Sequence, residues 1–143
     1  GRQAPDLPEV SDVPFDPQSI AYEELKSASS RSPVVYLENG IPRGLLIDVK
    51  VSRNSAVERA QAFLKTYADL LRQDDPALAL EVRRTSEVFA EQVVFYQTYK
   101  GIPVYAAEII ISLDGDRVFS TVGGLLRVGV DLDINPGLSN PAA

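Results

Sequence analysis

Three features of the 143-residue chain predict an α+β fold, with one long helix packed across an antiparallel sheet. Residues Ser55 to Leu71 carry one helical apolar period. From Leu80 to Val122 the chain is a run of β-branched and aromatic segments separated by turn residues. There is no strand-helix-strand alternation of the kind that builds a parallel sheet.

Residues 1–31 differ in composition from the rest of the chain. Pro5, Pro8, Pro14 and Pro17, with acidic residues outnumbering basic ones, predict a flexible, extended lead-in. Phe15, Ile20, Tyr22 and Leu25 leave a second reading open, in which Gln18 to Ser27 forms a helical turn or two laid against the domain. Val34 to Glu38 and Leu45 to Val51 then read as two strands joined by an irregular loop at Asn39-Gly40. Pro42 limits the first of them to ragged or edge pairing.

The predicted helix begins at Ser55-Ala56-Val57-Glu58, a capping box in which a serine hydroxyl meets the amide three residues on. Ala56, Ala60, Phe63, Leu64, Tyr67, Leu70 and Leu71 recur at spacings of three and four, which is one buried face. Glu58, Arg59, Gln61, Lys65, Asp69 and Arg72 take the other side, with Lys65 and Asp69 one turn apart. Asp74-Asp75-Pro76 ends it, because the proline ring disfavours helical geometry at Asp75.

Four strands come next: Leu80 to Val88, Val93 to Tyr99, Val104 to Leu113 and Arg117 to Val122. Lys100-Gly101-Ile102-Pro103 separates the second from the third, and Asp114-Gly115 closes the last hairpin by supplying positive φ. Gly101 and Gly123 read as positions whose turn or bulge geometry a Cβ would hinder.

Composition narrows the chemistry. A net charge of −6, with fourteen Lys and Arg that form no run, argues against a nucleic-acid partner. No apolar stretch approaches the ~20 residues of a membrane span. The chain has no His and no Cys, hence no thiolate nucleophile, no imidazole base, no disulfide and no ordinary zinc site. Ser-His-Asp chemistry and a His-Glu-x-x-His helix are excluded within it. The leading Gly1 and the lack of any Met are what a processed chain presents.

Few residues then remain as chemical candidates. Asp114 and Asp116, or Asp131 and Asp133, bracket single residues as calcium ligands can, yet neither pair supplies the six to eight oxygens calcium takes. Turn and solvation chemistry is the reading for both. Glu108 lies inside an apolar strand, on the same face as Val104, Ala106 and Ile110 by alternation. If buried, it needs a partner such as Arg84 or Lys100. Phe95, Gln97 and Tyr99 share one face, Tyr96 and Thr98 the other; Phe95 reads as core, while Tyr96 and Tyr105 are candidates for an outward contact surface. A carboxylate hydrolase finds no carboxylate pair placed across a cleft.

One segment also carries a family likeness. Val93, Phe95, Gln97-Thr98-Tyr99-Lys100-Gly101-Ile102-Pro103-Val104, Glu108-Ile109-Ile110-Ile111, a turn and a last strand ending at Gly123 succeed one another in a recurring order. This order resembles the FTP domain, the fungalysin/thermolysin propeptide module of secreted zinc metallopeptidase precursors. Asn39-Gly40-Ile41-Pro42-Arg43-Gly44-Leu45 resembles a segment that precedes the helix in that family, so the likeness extends over residues 32–130. The resemblance implies a cystatin-like wrap of helix by sheet, and a module with no catalytic or cofactor site of its own.

It further implies a secreted precursor whose signal peptide is removed, in which the module acts as intramolecular folding chaperone and as part of the inhibitory prosegment. Its partners would be the cognate metallopeptidase catalytic domain and a PepSY module. Ser139-Asn140-Pro141-Ala142-Ala143 has the form of a helix start, so residues 131–143 are expected to be a linker toward that PepSY module. The family-motif residues, and candidate partner contacts, are Tyr96, Gln97, Tyr99, Gly101, Pro103, Tyr105 and Gly123. The alternative is a standalone secreted or cell-surface binding module of the same fold.

Overall fold

The computed structural model describes residues 16–126. Helix α1 spans Pro17–Ala28 and helix α2 Ala56–Thr66. The strands are β1 Val34–Glu38, β2 Ile41–Lys50, β3 Leu78–Ser86, β4 Glu91–Tyr99, β5 Ile102–Asp114 and β6 Arg117–Gly123. All six form one sheet in the order β1-β2-β6-β5-β4-β3, every pairing antiparallel. The lead-in before Asp16, and the tail with Asp131, Asp133 and the expected linker, lie outside the described residues.

The predicted α+β fold with one long, cystatin-like helix is overturned. Among the described residues the chain is mostly antiparallel sheet, with two short helices of 12 and 11 residues. The apolar period from Ala56 to Leu71 correctly identifies buried positions, since Ala60, Phe63, Leu64, Tyr67, Leu70 and Leu71 are all in the core. The backbone leaves the helix before that period ends. Tyr67 caps α2 at φ −109° and ψ 27°, after β-branched Thr66, and Asp69 would place a negative charge at the negative end of the helix. Residues 67–72 continue as turns. Arg72 adopts a left-handed φ of 57°, and the Gln73 amide donates to the Ala68 carbonyl at 2.8 Å, as at a Schellman-type helix end.

Helix α1 falls within the expected lead-in and matches the second reading of it, a helical segment over Gln18 to Ser27 laid against the domain. Asp16 accepts from the Gln18 amide at 3.1 Å, Pro17 sits in the first turn, and Ala21 and Leu25 are buried. Beyond α1, Ser29 bridges to Val49 and the Ser30 amide donates to the Asp48 carbonyl at 2.8 Å. Arg117 reaches across from β6, bonding the Asp48 carboxylate and, at 2.6 Å, the Ser30 hydroxyl. The hydrogen bond to Asp48 raises the Arg117 pKa above its ordinary value.

The core lies between the helices and one sheet face. Leu45, Ile47 and Val49 of β2, Val93 and Phe95 of β4, Ile109, Ile111 and Leu113 of β5 and Val118 of β6 meet Leu25, Phe63 and Leu64 there. Phe63 and Tyr67 pack as a tilted pair with ring centroids 4.8 Å apart. Alternation along the strands sorts these residues from their neighbours.

The hairpins are tighter than predicted. Asn39 and Gly40, at φ 54° and 77°, form a two-residue turn between the paired Glu38 and Ile41. The irregularity expected of that loop lies instead in the ladder, where the register shifts between Tyr36 and Leu37 and leaves Arg43 as the extra residue. Lys100 and Gly101, at φ 51° and 80°, likewise join Tyr99 directly to Ile102, so β5 starts at Ile102 rather than Val104. In the last hairpin Asp114 pairs with Arg117 and only Gly115 of the turn has positive φ. Strand β3 stops at Ser86, and Val88 and Phe89 stand exposed at the tip of the next loop.

Candidate functional site

The β4–β5 pair departs from regular geometry at one place. Tyr96 pairs with Glu108 and Thr98 with Pro103, so Val104 to Ala107 stand opposite the single residue Gln97. This bulge turns the alternation of β5 over. Val104 joins Ala107, Ile109 and Ile111 on the buried side, while Tyr105 and Ala106 face solvent. Ala106 takes a left-handed φ of 60° to make the bend.

Gln97, opposite the bulge, is fully buried. Its side-chain amide is satisfied on both sides. Nε2 donates to the Gln73 Oε1 at 2.8 Å and to the Leu126 carbonyl at 2.8 Å, and Oε1 accepts from the Leu126 amide at 3.0 Å. The Gln73 Nε2 donates in turn to the Leu71, Arg72 and Leu126 carbonyls. One β-strand side chain thus plays the part of a backbone partner for the segment leaving β6. Leaving either face of a buried amide unpaired costs ~1–3 kcal/mol, which explains why both are bonded.

Two further contacts fix that exit segment. Arg43, the bulged residue of β2, donates from Nη1 to the Leu125 carbonyl at 2.6 Å while its Nε bonds Glu38 at 2.8 Å. The Gly124 amide donates to the Glu108 carbonyl at 2.8 Å. At Gly123 the two backbones are so close that a Cβ would lie 2.5 Å from the Glu108 carbonyl oxygen and 2.7 Å from the Ile109 Cα. Gly123 is therefore required by space, whereas Gly101 is favoured by its φ of 80°.

The seven predicted motif residues do not converge on one pocket. Gln97 and Gly123 belong to the exit clasp just described. Tyr96 lies half-buried on the opposite sheet face, with the Arg83 guanidinium 4.9 Å from its ring centroid. Tyr99, at the strand end, has the Lys100 ammonium 5.4 Å from its ring. Gly101 and Pro103 are exposed at the hairpin, and Tyr105 is 61% exposed on the bulge. Phe95 is core.

Glu108 shares its face with Ile110, as alternation predicts, and forms an exposed ion pair, but it does not share that face with Val104. The bulge separates it from Val104, and its side chain, 38% exposed, pairs with Arg83 at 2.6 Å rather than with Arg84 or Lys100. Arg83 is itself the extra residue in the β3–β4 ladder, which carries it to the side of Tyr96 and Glu108. Such an exposed pair contributes under ~1 kcal/mol. Asp116 lies 3.9 Å from Lys50, as turn chemistry. Among the described residues no three His, Cys, Asp or Glu gather as a metal-binding group, and no helix is long and apolar enough to cross a membrane.

Sequence reasoning missed Gln73, Arg43, Arg83 and Leu126. A signal for the first existed: alternation had already placed Gln97 on the face of Phe95, and a buried amide demands partners. Which residues those are depends on contacts 24 and 29 positions away in the chain.

Residues 90–125 match the family model described as Fungalysin/Thermolysin Propeptide Motif. The match covers β4, β5 and β6 and ends one residue before Leu126. It contains the segment from Val93 to Gly123 on which the resemblance rests, and the upstream Asn39 to Leu45 likeness lies outside it. No curated protein and no solved structure matches the chain.

Proposed function

We propose that this chain is the non-catalytic propeptide module of a secreted zinc metallopeptidase precursor, serving as folding template and as part of the inhibitory prosegment. The observation that carries the reading is the propeptide-motif match over residues 90–125. A propeptide motif is non-catalytic by itself, and without His or Cys the chain lacks the usual zinc ligands and nucleophiles.

The physical mechanism is linkage. A prefolded surface that binds the native-like peptidase better than its unfolded chain shifts the folding equilibrium toward the native form, and speeds folding where it also binds the transition state. The motif hairpin offers Tyr105 and Pro103 in the open, and tyrosine gives large contact area at low entropic cost. These residues are the contact surface in this reading. A downstream PepSY module and a catalytic domain complete the precursor.

The test has two steps. The coding sequence beyond Ala143 is read for a His-Glu-x-x-His helix, and the catalytic domain it encodes is refolded from guanidinium with and without equimolar chain. Higher recovery of peptidase activity with the chain supports the template role. Equal recovery removes that role, and a coding sequence without a peptidase leaves the standalone binding module instead.

A further inference from the structure

The sheet order leaves β3 with no strand beyond it among the described residues. Its nine residues are mostly exposed, and the backbone groups on that side are a template for another strand. On the core side an open apolar groove of about 210 Å³ runs between α2 and β3, with Leu64, Leu78, Leu80 and Phe95 in its lining. Val82 continues the apolar side at 36% exposure.

Charge on a free edge ordinarily guards it, because like charges meet when two such edges approach. The charges of β3 are arranged otherwise. Glu81 pairs with Tyr96 and Arg84 with Val94, so both project from the outer face of the sheet, and both are exposed. Arg83, the bulged residue, lies on that face too, against Glu108. One acidic side chain thus precedes two basic ones along the strand. Set antiparallel to itself about a two-fold axis between Val82 and Arg83, β3 brings Glu81 opposite Arg84 twice. The same register sets Leu80 opposite Thr85 on the core side and Ala79 opposite Ser86 on the outer side, and no two like charges stand directly opposite each other.

We infer that this edge joins a second copy of the chain, giving a two-fold dimer whose sheet runs on through both β3 strands. Opposite charges facing each other across antiparallel strands stabilise the ladder, and the pairing gives the edge backbone groups partners other than water. Thr85 of each copy closes over Leu80 at the mouth of the other's groove. The dimer does not depend on the propeptide reading.

Sedimentation equilibrium of the full chain tests it. Wild type is expected to dimerise reversibly in the micromolar range. Glu81→Arg alone and Arg84→Glu alone should each weaken the dimer at least ~10-fold in Kd, and the double variant should return to within ~3-fold of wild type. A wild type still monomeric at about 1 mM overturns the dimer, as does one that neither single change weakens or that the double change does not restore. Amide exchange gives a second readout on wild type alone. The β3 amides directed away from β4 are expected to exchange at least ~10-fold more slowly well above Kd than well below it, with β4 and β5 unchanged. Equal β3 exchange at the two concentrations overturns the pairing.

Discussion

Gln97 and Leu126 pair as two amides do across a sheet, the side chain of one against the backbone of the other, at 2.8 Å and 3.0 Å. Replacing Gln97 by Leu leaves the part-buried Leu126 amide and the Gln73 Oε1 without this partner, and the Leu126 carbonyl with only its bond from Gln73. The expected loss is about 2–3 kcal/mol, read as a lower urea midpoint at unchanged slope. Gln97→Glu keeps the acceptor and buries a carboxylate. Its deficit is therefore expected to be larger at pH 8 than at about pH 5, where the carboxyl can hold its proton. A Leu variant as stable as wild type would mean that the clasp does not hold the exit segment.

Gly123→Ala is expected to be among the most damaging single-methyl changes in the sheet. The added carbon would lie 2.5 Å from a carbonyl oxygen and 2.7 Å from a Cα, both backbone atoms that cannot swing aside. A cost of ~2 kcal/mol or more is expected from forced separation of β5 and β6. Gly101→Ala meets open space and suffers only from φ 80°, about 1 kcal/mol. Thermal unfolding of the two variants should therefore rank Gly123→Ala as the less stable; the reverse order would contradict the close approach.

Phe63 is 1% exposed and lies in the core, with the Tyr67 ring tilted against it at 4.8 Å between centroids. Phe63→Ala is expected to cost ~3–5 kcal/mol by denaturant unfolding. An unchanged midpoint would displace α2 from the sheet.

Tyr67 makes stability fall at high pH. Its burial, and after that the negative charge of Glu24, raise the phenol pKa above 10.0 in the folded chain. Below the unfolded value both states hold the proton and there is no contribution. Above it the unfolded chain releases its proton first, so folding loses stability as pH rises through the folded value. Urea midpoints measured from about pH 8 to about pH 11 should decline less steeply for Tyr67→Phe than for wild type. Parallel curves would mean that Tyr67 titrates as an exposed phenol.

Tyr105 is 61% exposed on the outer side of the bulge. Tyr105→Ala is expected to change stability by no more than ~0.5 kcal/mol, yet to lower the recovery of peptidase activity in the refolding assay. Loss of stability without loss of recovery would make Tyr105 a structural residue rather than a contact.

Features that repeat over short distances were legible in the residues alone. The spacing of Ala60, Phe63, Leu64 and Leu71 marked the buried face of α2 and its succeeding turns. The β-branched runs marked β4 to β6, and the ordered motif within them identified the propeptide likeness. Local chemistry is enough for these, because each signal lies within a few residues of its effect.

Long-range contacts settled where α2 ends, that α1 docks, and that Val104 to Ala107 bulge opposite Gln97. The apolar period counts side chains that must be buried, and a turn buries Leu70 and Leu71 as well as a helix does. Lead-in composition left docking as one of two readings, and the burial of Ala21 and Leu25, with Gln18 bonded to the Gly40 and Leu70 carbonyls, decides it. The bulge depends on register, and register is set by partners on other strands: Glu108 across from Tyr96, and Gly123 pressed against Glu108 and Ile109. Gln97 was legible as a polar residue on a buried face. Its partners at Gln73 and Leu126 were not, because they meet it only after the chain has folded back.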